Sequence, residues 1–153
     1  DTSKVTAVRV MALSQGLING RAMDMMRVDV RAKVGATEIW QIVNTTVDTH
    51  PIHLHQTAFQ VLDRQAVNVN AYLKALGTAP GIDPTPYVTS KPMPAGPDEA
   101  GWKETVRANP GEVTRIAMKW ADYAGNYVYH CHILEHEEHD MMRALTILPA
   151  PAV

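Results

Sequence analysis

The only cysteine in the sequence, Cys131, stands between two histidines, His130 and His132. A third histidine, His136, follows it by five residues, and a methionine, Met141, follows it by ten. Apart from His139, the remaining histidines lie far upstream in His50-Pro51-Ile52-His53-Leu54-His55, so all seven fall in two blocks. Thiolate, imidazole and thioether together form the ligand set of a blue-copper electron-transfer site, which needs two imidazoles. A centre that draws on both blocks requires two distant segments to lie side by side, and this is the strongest constraint on the fold.

Composition sets the frame. A chain of 153 residues has room for one domain with a real core. Apolar residues make up 46% and charged residues 20%, as in ordinary globular domains. The net charge of −2 gives no sign of nucleic acid or an anionic membrane as partner. No apolar run approaches the ~20 residues of a membrane-spanning helix, so no membrane span is expected. One cysteine excludes an intrachain disulfide and does not report a redox compartment. No charged-then-apolar signal segment opens the chain, and the residues carry no address.

The pattern along the chain is that of short strands. Residues 4–13 are rich in valine with partial alternation. Asn19-Gly20 is a turn signal. Residues 37–44 alternate cleanly, with Ile39, Gln41 and Val43 on one face and Trp40, Ile42 and Asn44 on the other. His53–Leu62 reads as one further strand. A short helix is expected over Asn70–Leu76, with Tyr72, Leu73 and Leu76 on one side and Gly77 as its stop. Six prolines between Pro80 and Pro97 exclude regular helix and central strand there. Residues 63–101 are therefore expected to form a long excursion, either lining a site or decorating the surface. Strands resume at Lys103–Val106, Val113–Trp120, Tyr127–His130 and Leu145–Leu148. These features predict an all-β Greek-key sandwich or barrel with a long Pro-rich excursion and a short helix, formed as a single domain over 1–153.

Strand geometry sorts the histidines. Residues i and i+2 project from the same face of an extended chain. His53 and His55 therefore point together, as do His130 and His132, and Cys131 points the other way. The two His-x-His pairs can meet at one metal centre, while Cys131 faces a second on the opposite side of its strand. His50 reaches the Cys131 side if the chain bends at Pro51. His136 and Met141 can fold back over Cys131. The expectation is two metal environments joined through bonds at Cys131.

His-Pro-x-His-x-His followed by His-Cys-His-x3-His-x4-Met resembles the C-terminal cupredoxin domain of a multicopper oxidase. Ile52, Leu54, Gly101-Trp102-Lys103 and Ile133-Leu134-Glu135-His136-Glu137 are most similar to the bacterial spore-coat laccase and bilirubin oxidase branch. The similarity runs from about Thr37 to Leu148. It implies that His50, Cys131 and His136 bind a type 1 copper with Met141 as weak axial ligand. It implies that His53 binds a type 2 copper and that His55, His130 and His132 bind the type 3 pair. In related enzymes the residue matching His136 takes the electron from the reducing substrate, and the one matching Glu137 helps move protons. The implied reaction is repeated one-electron oxidation of a small reductant (a phenol, a pigment or a metal ion), with O2 reduced to water. The family's trinuclear cluster uses eight histidines, and this chain offers four, so the resemblance also implies an N-terminal cupredoxin domain as partner. Relatives are often exported or held in the cell envelope.

Plainer readings apply to several residues. His139, among Glu137, Glu138 and Asp140, has no ligand role in the motif. Glu135 and Glu138 read as a solvated face. Met142 reads as packing beside Met141. Met23, Met25 and Met26 could contact copper(I), but packing is the simpler explanation. Trp40, Trp102 and Trp120 read as core or loop anchors. Three other functions compete. A stand-alone type 1 electron carrier leaves four histidines without purpose. A copper nitrite reductase domain lacks the histidine after the cysteine. A structural zinc domain explains neither Met141 nor two linked centres.

Overall fold

The computed structural model describes residues 1–121 and 123–150. In chain order its elements are β1 (Val5–Ser14), β2 (Leu17–Ile18), β3 (Val28–Lys33), β4 (Thr37–Asn44), β5 (His50–Leu54) and β6 (Phe59–Ala66). Helix α1 (Val69–Leu76), β7 (Met93–Pro94), β8 (Thr105–Ala108), β9 (Glu112–Lys119), β10 (Gly125–Cys131), α2 (Leu134–Glu138) and β11 (Met142–Leu148) follow. Two mixed sheets face each other, one ordered β2-β1-β4-β9-β6-β7 and the other β3-β11-β10-β5-β8. The pairs β1·β4 and β3·β11 are parallel, and the other pairings are antiparallel. Among the described residues no helix is long and apolar enough to cross a membrane.

The alternation in β4 works as expected: Trp40 and Ile42 join Ile52, Leu54, Phe59, Ile116, Trp120 and Tyr129 in the main core between the sheets. The opposite face is buried too at the end of this strand. Val43 packs with Ala12, Val113, Tyr72 and Leu76 in a second cluster, so α1 covers the outside of the six-stranded sheet. Asn68 caps that helix by accepting from Ala71 N at 3.1 Å, and Gly77 ends it with a φ of 52° that favours glycine. Leu73, expected on the buried side, keeps 38% of its surface exposed.

Several expectations need correction. His53–Leu62 is not one strand. The chain turns at Gln56, whose φ is 77°, and crosses from β5 in one sheet to β6 in the other. Residues 63–66 do not leave the scaffold but stay in β6, and Met93-Pro94 returns to pair with Asp63 and Arg64 as an edge strand. An edge tolerates proline because one side of the strand has no ladder to serve. A bidentate pair from Arg64 to Glu99, at 2.6 and 2.8 Å, ties the later part of this segment to β6. Met25 and Met26 do not pack, being 86% and 93% exposed, and Trp102 is 66% exposed in its loop.

One carboxylate lies deep in the main sheet. Glu38 on β4, 2% exposed, accepts from Arg9 Nε and a second guanidinium nitrogen at 2.7 and 2.8 Å and from Trp40 Nε1 at 3.0 Å. Burial pushes its pKa up, but the Arg9 and Trp40 hydrogen bonds outweigh that and hold it below the usual carboxylate value. A depressed folded-state pKa means that the stabilisation is present above the unfolded-state pKa. It is lost as pH falls through the folded one. Glu38→Gln should therefore lower stability at neutral pH by about 3 kcal/mol, the low end for breaking a buried pair because Arg9 keeps 30% of its side-chain surface in water. Urea denaturation at neutral pH and at acid pH checks this, and the difference between variant and parent should shrink in acid.

Candidate metal centre

Strand β5 lies between β8 and β10 and carries the first histidine block. Its register against β10 sets His53 opposite His130 and Ile52 opposite Cys131. No bend at Pro51 is needed. His50 lies three residues from His53, an odd separation that puts it on the other face of a continuous strand. The missing N–H of Pro51 costs little, because the residue lies at the end of the β5–β10 ladder, where its carbonyl accepts from His132 N at 2.7 Å.

On the buried face, Cys131 Sγ lies 3.6 Å from His50 Nδ1 and 3.7 Å from His136 Nδ1. A metal bonded to sulfur at ~2.3 Å and to nitrogen at ~2.0–2.1 Å, with trigonal to tetrahedral angles, sets the S···N separation at roughly 3.5–3.8 Å. The observed gaps fall within that range. His136 reaches this site from α2, a helix of one turn. Beyond it the chain folds back through Asp140, whose φ is 85°. Met141 N donates to His136 O, and Cys131 N donates to Met141 O, both at 2.9 Å, so the loop closes on itself at the cysteine. Met141 is fully buried in the core beside Cys131. Arg143, 1% exposed, holds the loop from beneath by donating to Asp140 O at 3.0 Å and Ile18 O at 2.6 Å, with Asp29 as counter-charge at 3.2 Å.

The other face carries His53, His55 and His130, whose ligating nitrogens cluster within 4.8 Å of one another. His55 Nε2 and His130 Nε2 are 3.2 Å apart, close to the roughly 3.3 Å expected of two nitrogens on one tetrahedral metal. His132 stands beside this trio, its ring centroid 5.7 Å from His53 and 5.5 Å from His130. Backbone carbonyls set the rings. His53 Nδ1 lies 2.7 Å from Glu104 O, and His130 Nδ1 lies 3.0 Å from Cys131 O. A carbonyl only accepts, so in the neutral rings the proton sits on Nδ1 and the lone pair is on Nε2, pointing into the cluster. Glu137 Oε2 is a second acceptor at 3.3 Å from His130 Nδ1. His139 is tied by Nδ1 to Glu135 O at 2.7 Å, apart from both groups.

Burial pushes the Cys131 thiol above its ordinary pKa, the Glu137 carboxylate adds to this, and a backbone hydrogen bond from Ile133 opposes it. Burial lowers the His50 pKa, and the neighbouring His136 pushes it the same way. Without a cation this face therefore holds a neutral thiol and a neutral imidazole. A bound cation reverses that preference by stabilising the thiolate. A cleft of about 780 Å3 opens beside the site and is lined by His50, His136, Thr46, Leu73 and Leu76 among others. Sequence reasoning did not single out Asn44, Thr46, Asp29 or Arg143. The signal for Arg143 was present as the one charge inside the otherwise uncharged run Met142–Leu148.

Comparison with known proteins agrees with this geometry. The Multicopper oxidase family model matches residues 2–151. A laccase of Bacillus subtilis is 48% identical over 115 residues, covering 75% of this chain and 21% of that protein. A laccase of Haloferax volcanii is 36% identical over 150 residues, covering 93% of this chain and 22% of its own length. The solved multicopper oxidase of Pediococcus acidilactici superposes with a TM-score of 0.71 at 31% identity, over 96% of this chain and 27% of that one. The chain belongs to the multicopper oxidase family, and its sandwich is cupredoxin-like. It spans about a fifth to a quarter of the length of these relatives.

The ring assignments are directly measurable. Long-range 1H–15N spectra of the metal-free protein should show His53 and His130 as Nδ1–H tautomers when neutral. An Nε2–H signature at His130 would contradict the ring orientation set by the Cys131 carbonyl.

Proposed function

We propose that this chain is the copper-binding C-terminal domain of a laccase-like multicopper oxidase, which oxidises a small reductant in one-electron steps and reduces O2 to water. The observation that carries the reading is the placement of two ligand clusters on opposite faces of one strand, with Cys131 on one and its bonded neighbours His130 and His132 on the other.

In this reading His50, Cys131 and His136, together with Met141, would hold a type 1 copper. His53 belongs to the type 2 site, and His55, His130 and His132 belong to the type 3 pair. Bound copper supplies reversible one-electron chemistry at the first site and oxygen reduction at the second. The residues of the chain do the rest. His136 presents an imidazole to the cleft, where a phenol, a pigment or a reduced metal ion can approach. Leu73 and Leu76 give that cleft an apolar wall. Cys131 links the faces through two peptide units, the shortest covalent path the backbone offers. Glu137 lies against His130 Nδ1 and can hold a proton beside the histidine cluster. Four histidines on one open face call for donors from elsewhere, and an N-terminal cupredoxin domain of the same oxidase is the partner that would supply them. The donor spacings within His50–Cys131–His136 and within His53–His55–His130, and the Nε2 lone pairs of His53 and His130, support copper as the bound ion.

Copper(II) titration of the metal-free protein tests the reading. One tightly bound copper should bring an intense blue absorption and narrow EPR hyperfine splitting, and Cys131→Ser should abolish both. The isolated chain should not consume O2 with a phenolic reductant. Oxygen uptake by the pure chain would instead mean that the histidine cluster completes itself, and loss of the partner-domain requirement would follow.

A further inference from the structure

We propose that Thr46 is a positioning residue for this centre: held by the buried amide of Asn44, its hydroxyl accepts the Nε2 proton of His50 and so aims the bare Nδ1 of that ring at Cys131 Sγ. The inference rests on reading His50, Cys131 and His136 as a copper site.

The hydrogen-bond directions follow by elimination. Asn44 is fully buried at the end of β4. Its Nδ2 lies 2.7 Å from Asp48 O and 2.9 Å from Ala108 O, both acceptors, so the orientation of the amide is settled. Oδ1 therefore faces Thr46 and accepts from Thr46 N at 2.9 Å and from its hydroxyl at 2.8 Å. A hydroxyl has one proton, and this one is committed to Asn44, with Asp48 O a longer alternative at 3.2 Å. Thr46 Oγ1 is also 2.7 Å from His50 Nε2. If the hydroxyl donated to that nitrogen, two lone pairs would face each other across the Asn44 contact. His50 must therefore donate from Nε2, and its lone pair lies on Nδ1, the atom 3.6 Å from the sulfur.

This has a chemical consequence beyond holding the ring. Accepting the Nε2 proton makes the imidazole a stronger donor through its other nitrogen. A more basic ligand favours the cupric over the cuprous state, so Thr46 lowers the reduction potential as well as raising copper(II) affinity. The neighbouring site reaches the same end with backbone carbonyls, at Glu104 and Cys131. His50 depends on a side chain, which a single substitution can remove.

The test compares Thr46→Val, which keeps the shape and removes the hydroxyl, with Thr46→Ser, which keeps the hydroxyl. Copper(II) alone is titrated into the metal-free protein. Thr46→Val should weaken copper(II) binding by about 10–100-fold, the range for losing an outer partner of a ligating histidine. It should also raise the midpoint potential of the blue centre. In the metal-free protein, 15N spectra should show His50 as the Nε2–H tautomer in the parent and in Thr46→Ser, and a mixture of tautomers in Thr46→Val. Thr46→Ser should restore affinity and potential together. Unchanged potential, affinity and tautomer in Thr46→Val would overturn the proposal, as would a Thr46→Val defect that Thr46→Ser shares. Absence of the blue band in the parent is a different failure, since it removes the copper site and with it the role given to Thr46.

Discussion

The pairing of β5 with β10 is the contact on which the rest depends. It sets His53 against His130 and Ile52 against Cys131. Side chains alternate along a strand, so this one register sends four histidines to one face and His50 and Cys131 to the other. A slip of one residue would exchange the faces and separate every donor from its partners. The register is protected on both flanks, because β5 is also paired to β8 and β10 to β11.

A site of this kind burdens the fold. It places a thiol and an imidazole among apolar side chains, where neither is at ease in its charged form. The surrounding polar groups are correspondingly well matched. Glu38 is met by Arg9 and Trp40, Arg143 by Asp29 and three carbonyls, and Asn44 uses both its donors and its acceptor. Asn44 stands at the end of β4 before the turn to His50, and Arg143 lies under the loop that follows His136. The loop after Cys131 is the clearest case, since its return through Asp140 and Met141 is closed by the cysteine's own N–H and held by a guanidinium.

The two faces differ in what sets their rings. On the histidine-rich face the nearest acceptors for His53 and His130 are main-chain carbonyls, which are present whatever the side chain. On the thiol face His50 relies on Asn44 and Thr46, in a turn that also borders the cleft. The ring of His50 is therefore adjustable through one side chain, while the rings of His53 and His130 are set chiefly by the backbone.

The sequence by itself determined which residues could share a face. Even spacing between His53 and His55 and the alternation of His130, Cys131 and His132 follow from a period of two and need no tertiary information. The strand over 37–44 and the helix before Gly77 were legible for the same reason, as local pattern and local capping. Tertiary structure decided what local pattern does not encode. It split His53–Leu62 between two sheets at Gln56, left Met25 and Met26 in solvent, and kept β5 straight through Pro51. It also set the Asn44 amide against the Ala108 carbonyl and Arg143 against the Ile18 carbonyl, contacts made by polar groups whose partners depend on how strands distant in sequence come to pair.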